Sequence, residues 1–438
     1  MRNILILGAG KSSVALIDYL IKYSRKEKWI ITVADITEEN ALQKTKRRIN
    51  TVAVGFDLNN STQRKELIKN SDIVISMLPA SLHIIVAKDC LKLRKNLVTP
   101  SYVSEAMREL DTEVKRKGLI FMNEMGLDPG IDHMSSMQLI DNLKDGGNEI
   151  TGYLSHCGGL VAPESDNNPW HYKFTWNPRN VILAGQGAGG IQYLKQGKKI
   201  KLKYEKLFDS ATPLKIPGYG KFESYPNRDS LKYIDEYGLK GVKTMYRGTL
   251  RISPFCEGWS LLVDLGLTKE EDLPKIRFMK QFVKRFSILG KTMSKRQDTL
   301  LKSTGVLQKL YLSEMESINP AKFMQEILER NWAMHPKDKD MIVMVHQLNY
   351  KTPQSSNFEI QSSLVFKGKN SVHTAMATTV GLPVAMVTRL ILNGQISQRG
   401  VLMPKHKEVY EPILNELKDY GISFTEKITR LALPKKKR

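Results

Sequence analysis

Gly8-Ala9-Gly10 stands between an apolar run, Ile4-Leu5-Ile6-Leu7, and a segment that puts Val14, Ile17 and Ile21 on one helical face. A turn in that setting has specific chemistry. The first glycine permits a tight bend, and the second lets the backbone approach a pyrophosphate whose charge meets the N-terminus of the following helix. Ser13 occupies the place of the third glycine in the dinucleotide fingerprint Gly-x-Gly-x-x-Gly. About 25 residues beyond Gly10, Asp35 closes a second apolar strand, near the spacing at which an acid accepts hydrogen bonds from the adenine-ribose hydroxyls and repels a 2′-phosphate. The expected cofactor is therefore NAD or NADP, with NAD favoured by Asp35; Lys44, Lys46, Arg47 and Arg48 are the cations able to reach a phosphate instead. The expected contacts are Gly8, Gly10, Lys11, Ser12 and Ser13, then Asp35 and Ile36, then Ser76, Met77 and Leu78 on a strand that Pro79 stops.

A second constellation is Asn123-Glu124-Met125-Gly126-Leu127-Asp128-Pro129-Gly130-Ile131-Asp132-His133-Met134, three carboxylates and a histidine on a turn leaving the last strand of the series. At the carboxyl edge of a parallel sheet, that is where substrate meets cofactor. Neither His133 nor His156 has the helical spacing or paired ligands of a zinc site, so no metal is expected; they read as helix-start and strand-end packing. Trp170, Tyr172, Phe174 and Trp176 alternate at period two and read as one face of a strand.

The elements that must position these groups alternate. Apolar strands at Ile4–Leu7, Trp29–Val33, Thr51–Val54, Asp72–Leu78, Leu97–Thr99 and Leu119–Met122 are separated by helical segments at Glu38–Arg48, Leu82–Leu93 and Ser104–Lys117. Such alternation implies parallel pairing with right-handed crossovers. Past Pro129 the texture changes, with Pro163, Pro169, Pro178, Pro213 and Pro217 as punctuation. Asp340–Asn349 and Phe358–Lys367 read as a hairpin, and Ala375–Leu392 as an apolar helix rich in small residues. The expected fold is α/β: a Rossmann dinucleotide-binding domain over 1–128, with 396–438 packing back on it. An α+β substrate and dimerisation domain takes 129–257 and 336–395, and a helical insertion takes 258–335.

The 438 residues, 41% of them hydrophobic, suffice for two or three cores. No apolar run approaches the roughly 20 residues that span a bilayer and no signal peptide opens the chain, so a cytoplasmic enzyme away from membranes is expected. The three cysteines, Cys90, Cys157 and Cys256, form no CxxC pair and read as reduced thiols. The charge of +22 suits an anionic small molecule or a solvated basic surface. The basic residues are spread along the chain without any nucleic-acid-binding pattern, so no nucleic-acid partner is expected. Pro434-Lys435-Lys436-Lys437-Arg438 reads as a solvated tail without assigned function.

The 123–134 segment resembles the saccharopine dehydrogenase (L-glutamate-forming) family, also called saccharopine reductase. So do Thr99-Pro100-Ser101-Tyr102, the run Cys157 to Ser165, Tyr225-Pro226-Asn227-Arg228-Asp229-Ser230, Arg247-Gly248-Thr249-Leu250-Arg251 and Ile396 to Leu402. The match runs nearly end to end and is least clear over 258–335. The resemblance implies oxidation of saccharopine by NAD(P)+ and water to L-glutamate and 2-aminoadipate 6-semialdehyde, or the reverse, in lysine metabolism, by a homodimer. It implies that Ser101, Tyr102 and Asp128 line the junction of cofactor and substrate, that Arg228 and Thr249 hold substrate carboxylates, and that Cys157 lies near the site, the catalytic set being Asp128, Tyr102 and Cys157. Physical chemistry agrees in part: a tricarboxylate needs guanidinium groups and its secondary amine a nearby carboxylate. A dehydrogenase of another amino-acid adduct such as carboxynorspermidine, or a non-catalytic nucleotide-binding protein, are the alternatives.

Overall fold

The computed structural model describes residues 1–187, 190–216, 219–312 and 315–431, which fall into two compact units. The first comprises Met1–Asp145 and Val372–Ser423, the second Gly146–Ser371 and the chain from Phe424 onward. Pro217 and the basic run Pro434 to Arg438 lie outside the described residues.

The first unit opens with β1 (Arg2–Leu7), α1 (Val14–Glu27), β2 (Trp29–Asp35), α2 (Glu38–Thr45), β3 (Thr51–Gly55) and α3 (Ser61–Lys69). It continues through β4 (Ile73–Ser76), α4 (His83–Lys92), β5 (Asn96–Val98), α5 (Glu105–Arg108), α6 (Asp111–Arg116), β6 (Ile120–Met122) and α7 (Ile131–Asp145). Its strands are short and apolar because both faces are covered: Ile4, Ile6, Val33, Ile73 and Ile75 have no exposure. Polar residues start the helices, with Thr37, Asn60 and Ser104 accepting from the amides of Asn40, Gln63 and Met107.

The second unit contains β7 (Glu149–Val161), α8 (Pro178–Ile182), β8 (Ile191–Lys195), β9 (Lys198–Leu202), β10 (Thr212–Ile216), β11 (Gly220–Pro226), α9 (Lys232–Glu236) and β12 (Thr244–Ile252). A largely helical stretch follows: α10 (Phe255–Asp264), β13 (Leu273–Pro274), α11 (Lys275–Leu289), α12 (Lys295–Ser303), α13 (Val306–Leu312), β14 (Ser317–Ile318) and α14 (Pro320–Asn331). The hairpin β15 (Asp340–Lys351) and β16 (Asn357–Lys367) pairs antiparallel, as the sequence implies. The chain then returns to the first unit as α15 (Ala375–Leu392), β17 (Gly400–Leu402) and α16 (Lys407–Lys418), and ends in the second as β18 (Thr425–Arg430).

The first sheet is parallel throughout in the order β17-β6-β5-β4-β1-β2-β3, with the strand order reversing between β1 and β4. The second sheet runs β10-β11-β12-β7-β15-β16-β18, with β8 on β12 and β9 on β8; β12 and β7 are parallel there.

Several expected boundaries move. The first unit extends through α7 to Asp145 rather than ending at 128, because α7 packs with α16 and Tyr410 donates to Asp141 Oδ2 at 2.7 Å. Within 336–395, α15 belongs to the first unit: Gly381 brings it so close to α1 that a Cβ there would lie 2.7 Å from the Leu16 nitrogen. Of the 396–438 segment, β18 leaves for the second sheet and pairs with β16. α15 is long and apolar enough to cross a bilayer by length and composition, against the expectation of no such run, but 78% of it is buried within the protein. The Trp170–Trp176 alternation is not a strand. It is an irregular segment whose Trp170, Tyr172 and Phe174 enter the core beside Phe255, Trp259 and Trp332, with the Phe174 amide donating to the Trp332 carbonyl.

Candidate active site

At the carboxyl end of β1, Gly8 has φ +104°, and a Cβ there would stand 2.9 Å from the Met77 carbonyl oxygen, so only glycine fits. A Cβ at Gly10 would meet nothing within 4 Å, so the backbone there is open to a ligand. The Lys11–Ser13 turn and α1 both begin without a side-chain cap, which leaves their first amides to an anion. Lys11 is exposed and Ser12 half-buried. Ser13 is buried and donates to the Gly10 carbonyl at 2.8 Å, closing the turn on itself. α15 approaches this turn closely at Gly381, where a Cβ would lie 3.2 Å from the Ser12 carbonyl oxygen.

Asp35 Oδ2 accepts the Ala9 amide at 2.6 Å, while Oδ1 accepts the Ile36 amide and Asn40 Nδ2, each at 2.9 Å. The carboxylate thus staples the glycine turn to the end of β2. Ile36, 86% exposed, presents an apolar surface beside it. Ser76 is fully buried with its hydroxyl 2.8 Å from His83 Nδ1, so its side chain supports the half-buried Met77 and Leu78 from beneath rather than reaching a ligand. A turn with an open second glycine, uncapped amides and a flanking apolar side chain fits a dinucleotide.

Past β5 and β6, at the same sheet edge, the three carboxylates of the 123–134 segment separate in role. Glu124 is buried, accepts the Val103 amide at 2.9 Å and lies 2.7 Å from His133 Nε2. Asp132 is buried and accepts the Gly130 amide at 2.6 Å. Asp128 is only half-buried, and its Oδ1 accepts the Tyr102 hydroxyl at 2.9 Å. Ser101 is held by its hydroxyl 2.8 Å from His83 Nε2. The structure therefore brings Ser101, Tyr102 and Asp128 together and leaves Asp128 as the accessible acid of the turn.

In the second unit, Cys157 of β7 stands in register with Thr249 of β12. Gly158 is required beside it, since a Cβ there would lie 2.7 Å from the Leu250 carbonyl oxygen. Arg251 follows Thr249 by two residues and is 4% exposed; it donates to the Leu250 carbonyl at 2.8 Å and lies over the rings of Tyr172, Tyr225 and Phe255. Its Nε has no acceptor, and no ion pair involves it among the described residues. A guanidinium buried without a carboxylate is costly unless a ligand supplies one. Arg228 follows β11 by two residues on an exposed bend at φ +53°, its carbonyl accepting the Gln192 amide at 3.3 Å. His156 lies within β7 rather than at its end, with Nδ1 2.8 Å from Ser224 Oγ and burial holding its pKa down to about 4.

His83 and Arg251 are the residues that reading the sequence did not single out. A lone histidine opening an apolar helix carries no motif, and Arg251 was one arginine among many.

Residues 4–122 match the saccharopine dehydrogenase NADP binding domain, and residues 126–422 the saccharopine dehydrogenase C-terminal domain. The chain is 33% identical over 450 residues to saccharopine dehydrogenase (NADP(+), L-glutamate-forming) of Saccharomyces cerevisiae, covering 97% of this chain and 99% of that one. It is 36% identical over 451 residues to the mitochondrial alpha-aminoadipic semialdehyde synthase of Rattus norvegicus, covering 98% of this chain and 48% of that protein. This chain thus spans about half the length of the synthase. Among solved structures, apo histidine-tagged saccharopine dehydrogenase (L-Glu forming) from Saccharomyces cerevisiae is similar at TM-score 0.85 and 32% identity, over 98% of this chain and 100% of that one. A parallel dinucleotide sheet, a mixed second sheet and end-to-end similarity agree: the chain belongs to the saccharopine dehydrogenase family.

Proposed function

We propose that this chain oxidises saccharopine to an imine that water hydrolyses to L-glutamate and 2-aminoadipate 6-semialdehyde, and catalyses the reverse reductive condensation. The reading is carried by the Tyr102–Asp128 pair, a half-buried acid oriented by a phenol at the carboxyl edge of a dinucleotide-binding sheet. The bound dinucleotide supplies the hydride acceptor. Asp128 takes the proton of the substrate's secondary amine on its carboxylate, while the Tyr102 hydroxyl, its one proton donated to Asp128 Oδ1, fixes that carboxylate's orientation and accepts from water during imine hydrolysis. Ser101 binds beside them. Thr249 and Arg228 hold substrate carboxylates, with Cys157 in register beside Thr249. Arg251, a buried cation without an ion pair among the described residues, is suited to one of saccharopine's three carboxylates.

The cofactor we infer is NADP rather than the NAD expected from Asp35. That expectation needs a carboxylate facing the adenine ribose, whereas Asp35 is engaged by Ala9, Ile36 and Asn40 of its own chain. Lys44 of α2 is close enough to Asp35 and Lys11 for their charges to act on it, and burial lowers its pKa; it is the cation suited to a 2′-phosphate. The NADP binding domain match and the NADP(+)-dependent yeast relative support the same reading. Initial rates with saccharopine against NADP+ and NAD+, with glutamate measured as product, test both points: no turnover removes the activity, and a higher kcat/KM with NAD+ removes the cofactor choice.

A further inference from the structure

α4 begins at His83, and the imidazole links the ends of two neighbouring strands. Nδ1 is 2.8 Å from Ser76 Oγ at the end of β4. Nε2 is 2.8 Å from Ser101 Oγ and 2.9 Å from Thr99 Oγ1, both just past β5. Burial alone pushes the ring's pKa down to about 4, so near neutral pH it carries one proton and offers one donor and one acceptor.

The surroundings allow two placements of that proton. Ser76 is fully buried, and its hydroxyl pairs with His83 alone among the described residues. A buried hydroxyl needs an acceptor for its proton: Ser76 finds one in Nδ1, while the equally buried Thr99 would find one in Nε2 only in the opposite tautomer. With Ser76 as the donor to Nδ1, the ring proton sits on Nε2, facing Ser101 and Thr99. Thr99 Oγ1 already accepts the Ser101 amide at 3.3 Å, whereas His83 is the one side-chain partner of the Ser101 hydroxyl among the described residues. With Nε2–H donated to it, Ser101 Oγ is an acceptor toward the protein and its own proton is available to a ligand.

We propose that His83 is a positioning residue for the saccharopine reaction: its Nε2–H fixes Ser101 Oγ so that the Ser101 hydroxyl donates to a substrate carboxylate. This rests on the proposed activity and adds a residue that makes no contact with the substrate itself. A histidine that merely staples two loops together would give the same distances, so the test must read the path through Ser101.

His83→Asn keeps an amide within reach of Ser76 but is too short for Ser101, whereas His83→Gln places an N–H near the position of Nε2. We expect His83→Asn to raise the KM for saccharopine about tenfold, the loss of one hydrogen bond, with the KM for NADP+ unchanged, and His83→Gln to stay within about threefold. In a Ser101→Ala background the further effect of His83→Asn shrinks to less than about twofold, because the two residues act in series. Equal effects of His83→Asn in both backgrounds, or equal losses with Asn and Gln, overturn the proposal. Should His83→Asn not fold, ring ¹⁵N shifts of the unsubstituted protein decide: an Nε2–H tautomer supports the arrangement and an Nδ1–H tautomer overturns it. Absence of saccharopine turnover in the unsubstituted protein is a separate result, and it removes the proposed function while the tautomer is still read.

Discussion

Asp128 differs from Glu124 and Asp132 in one respect that matters for catalysis: theirs are buried carboxylates that accept backbone amides, while Asp128 is half-buried and oriented by a side chain. Asp128→Asn should lower kcat by about 10²- to 10⁴-fold with an unchanged melting temperature; a nearly normal kcat removes the residue from the chemistry. Arg251 makes a prediction of opposite signs. Replacing a buried guanidinium that has no ion pair among the described residues by the similarly shaped Met should leave stability unchanged or raise it, while the KM for saccharopine rises at least about tenfold. Loss of stability without a change in KM assigns Arg251 to the core instead. Arg228, already exposed, should raise the same KM on replacement by Ala and leave the melting curve unmoved.

Among elements, the strands of the first sheet were legible because burial on both faces demands unbroken apolar runs, and the hairpin because both its strands are long. α3 was not legible: Ser61–Lys69 is almost wholly polar, only Arg64 and Ile68 are buried, and an Asn60 cap sets it rather than a hydrophobic face. The alternating aromatics from Trp170 misled because period two describes side chains entering a core as well as a pleated strand. The site divides in the same way. The glycine turn, Asp128 and Cys157 belong to recognisable segments, whereas the engagement of Asp35 by Ala9 and the pairing of His83 with Ser101 depend on residues distant in sequence. Gly8→Ala places a methyl at a positive φ against the Met77 carbonyl and should cost about 1–3 kcal/mol. NADP affinity should fall with it, which fluorescence titration and a thermal melt check together; intact affinity places the pyrophosphate elsewhere.

For the whole molecule, two buried histidines set a limit on acid tolerance. Burial pushes His83 and His156 down to about 4, so both are neutral when folded, whereas unfolded rings titrate near 6.5. Between those values the unfolded state binds the additional protons, so the stability these rings contribute is complete above about pH 6.5 and is lost as pH falls toward 4. The loss is about 3 kcal/mol for each ring. His156→Gln should therefore flatten the fall of melting temperature between pH 6.5 and 4; an unaltered slope places the acid sensitivity elsewhere. A different consequence follows from the route of the chain. α15, which seats Gly381 against α1, and β17, which borders β6, are both encoded after the whole of Gly146–Ser371. On the ribosome, the six strands made first must wait through that entire synthesis with the apolar side of α1 bare and the edge of β6 unpaired. The unit translated first thus stays open until Val372–Ser423 has emerged, and a chain halted anywhere before Val372 is a natural client for chaperones and proteases.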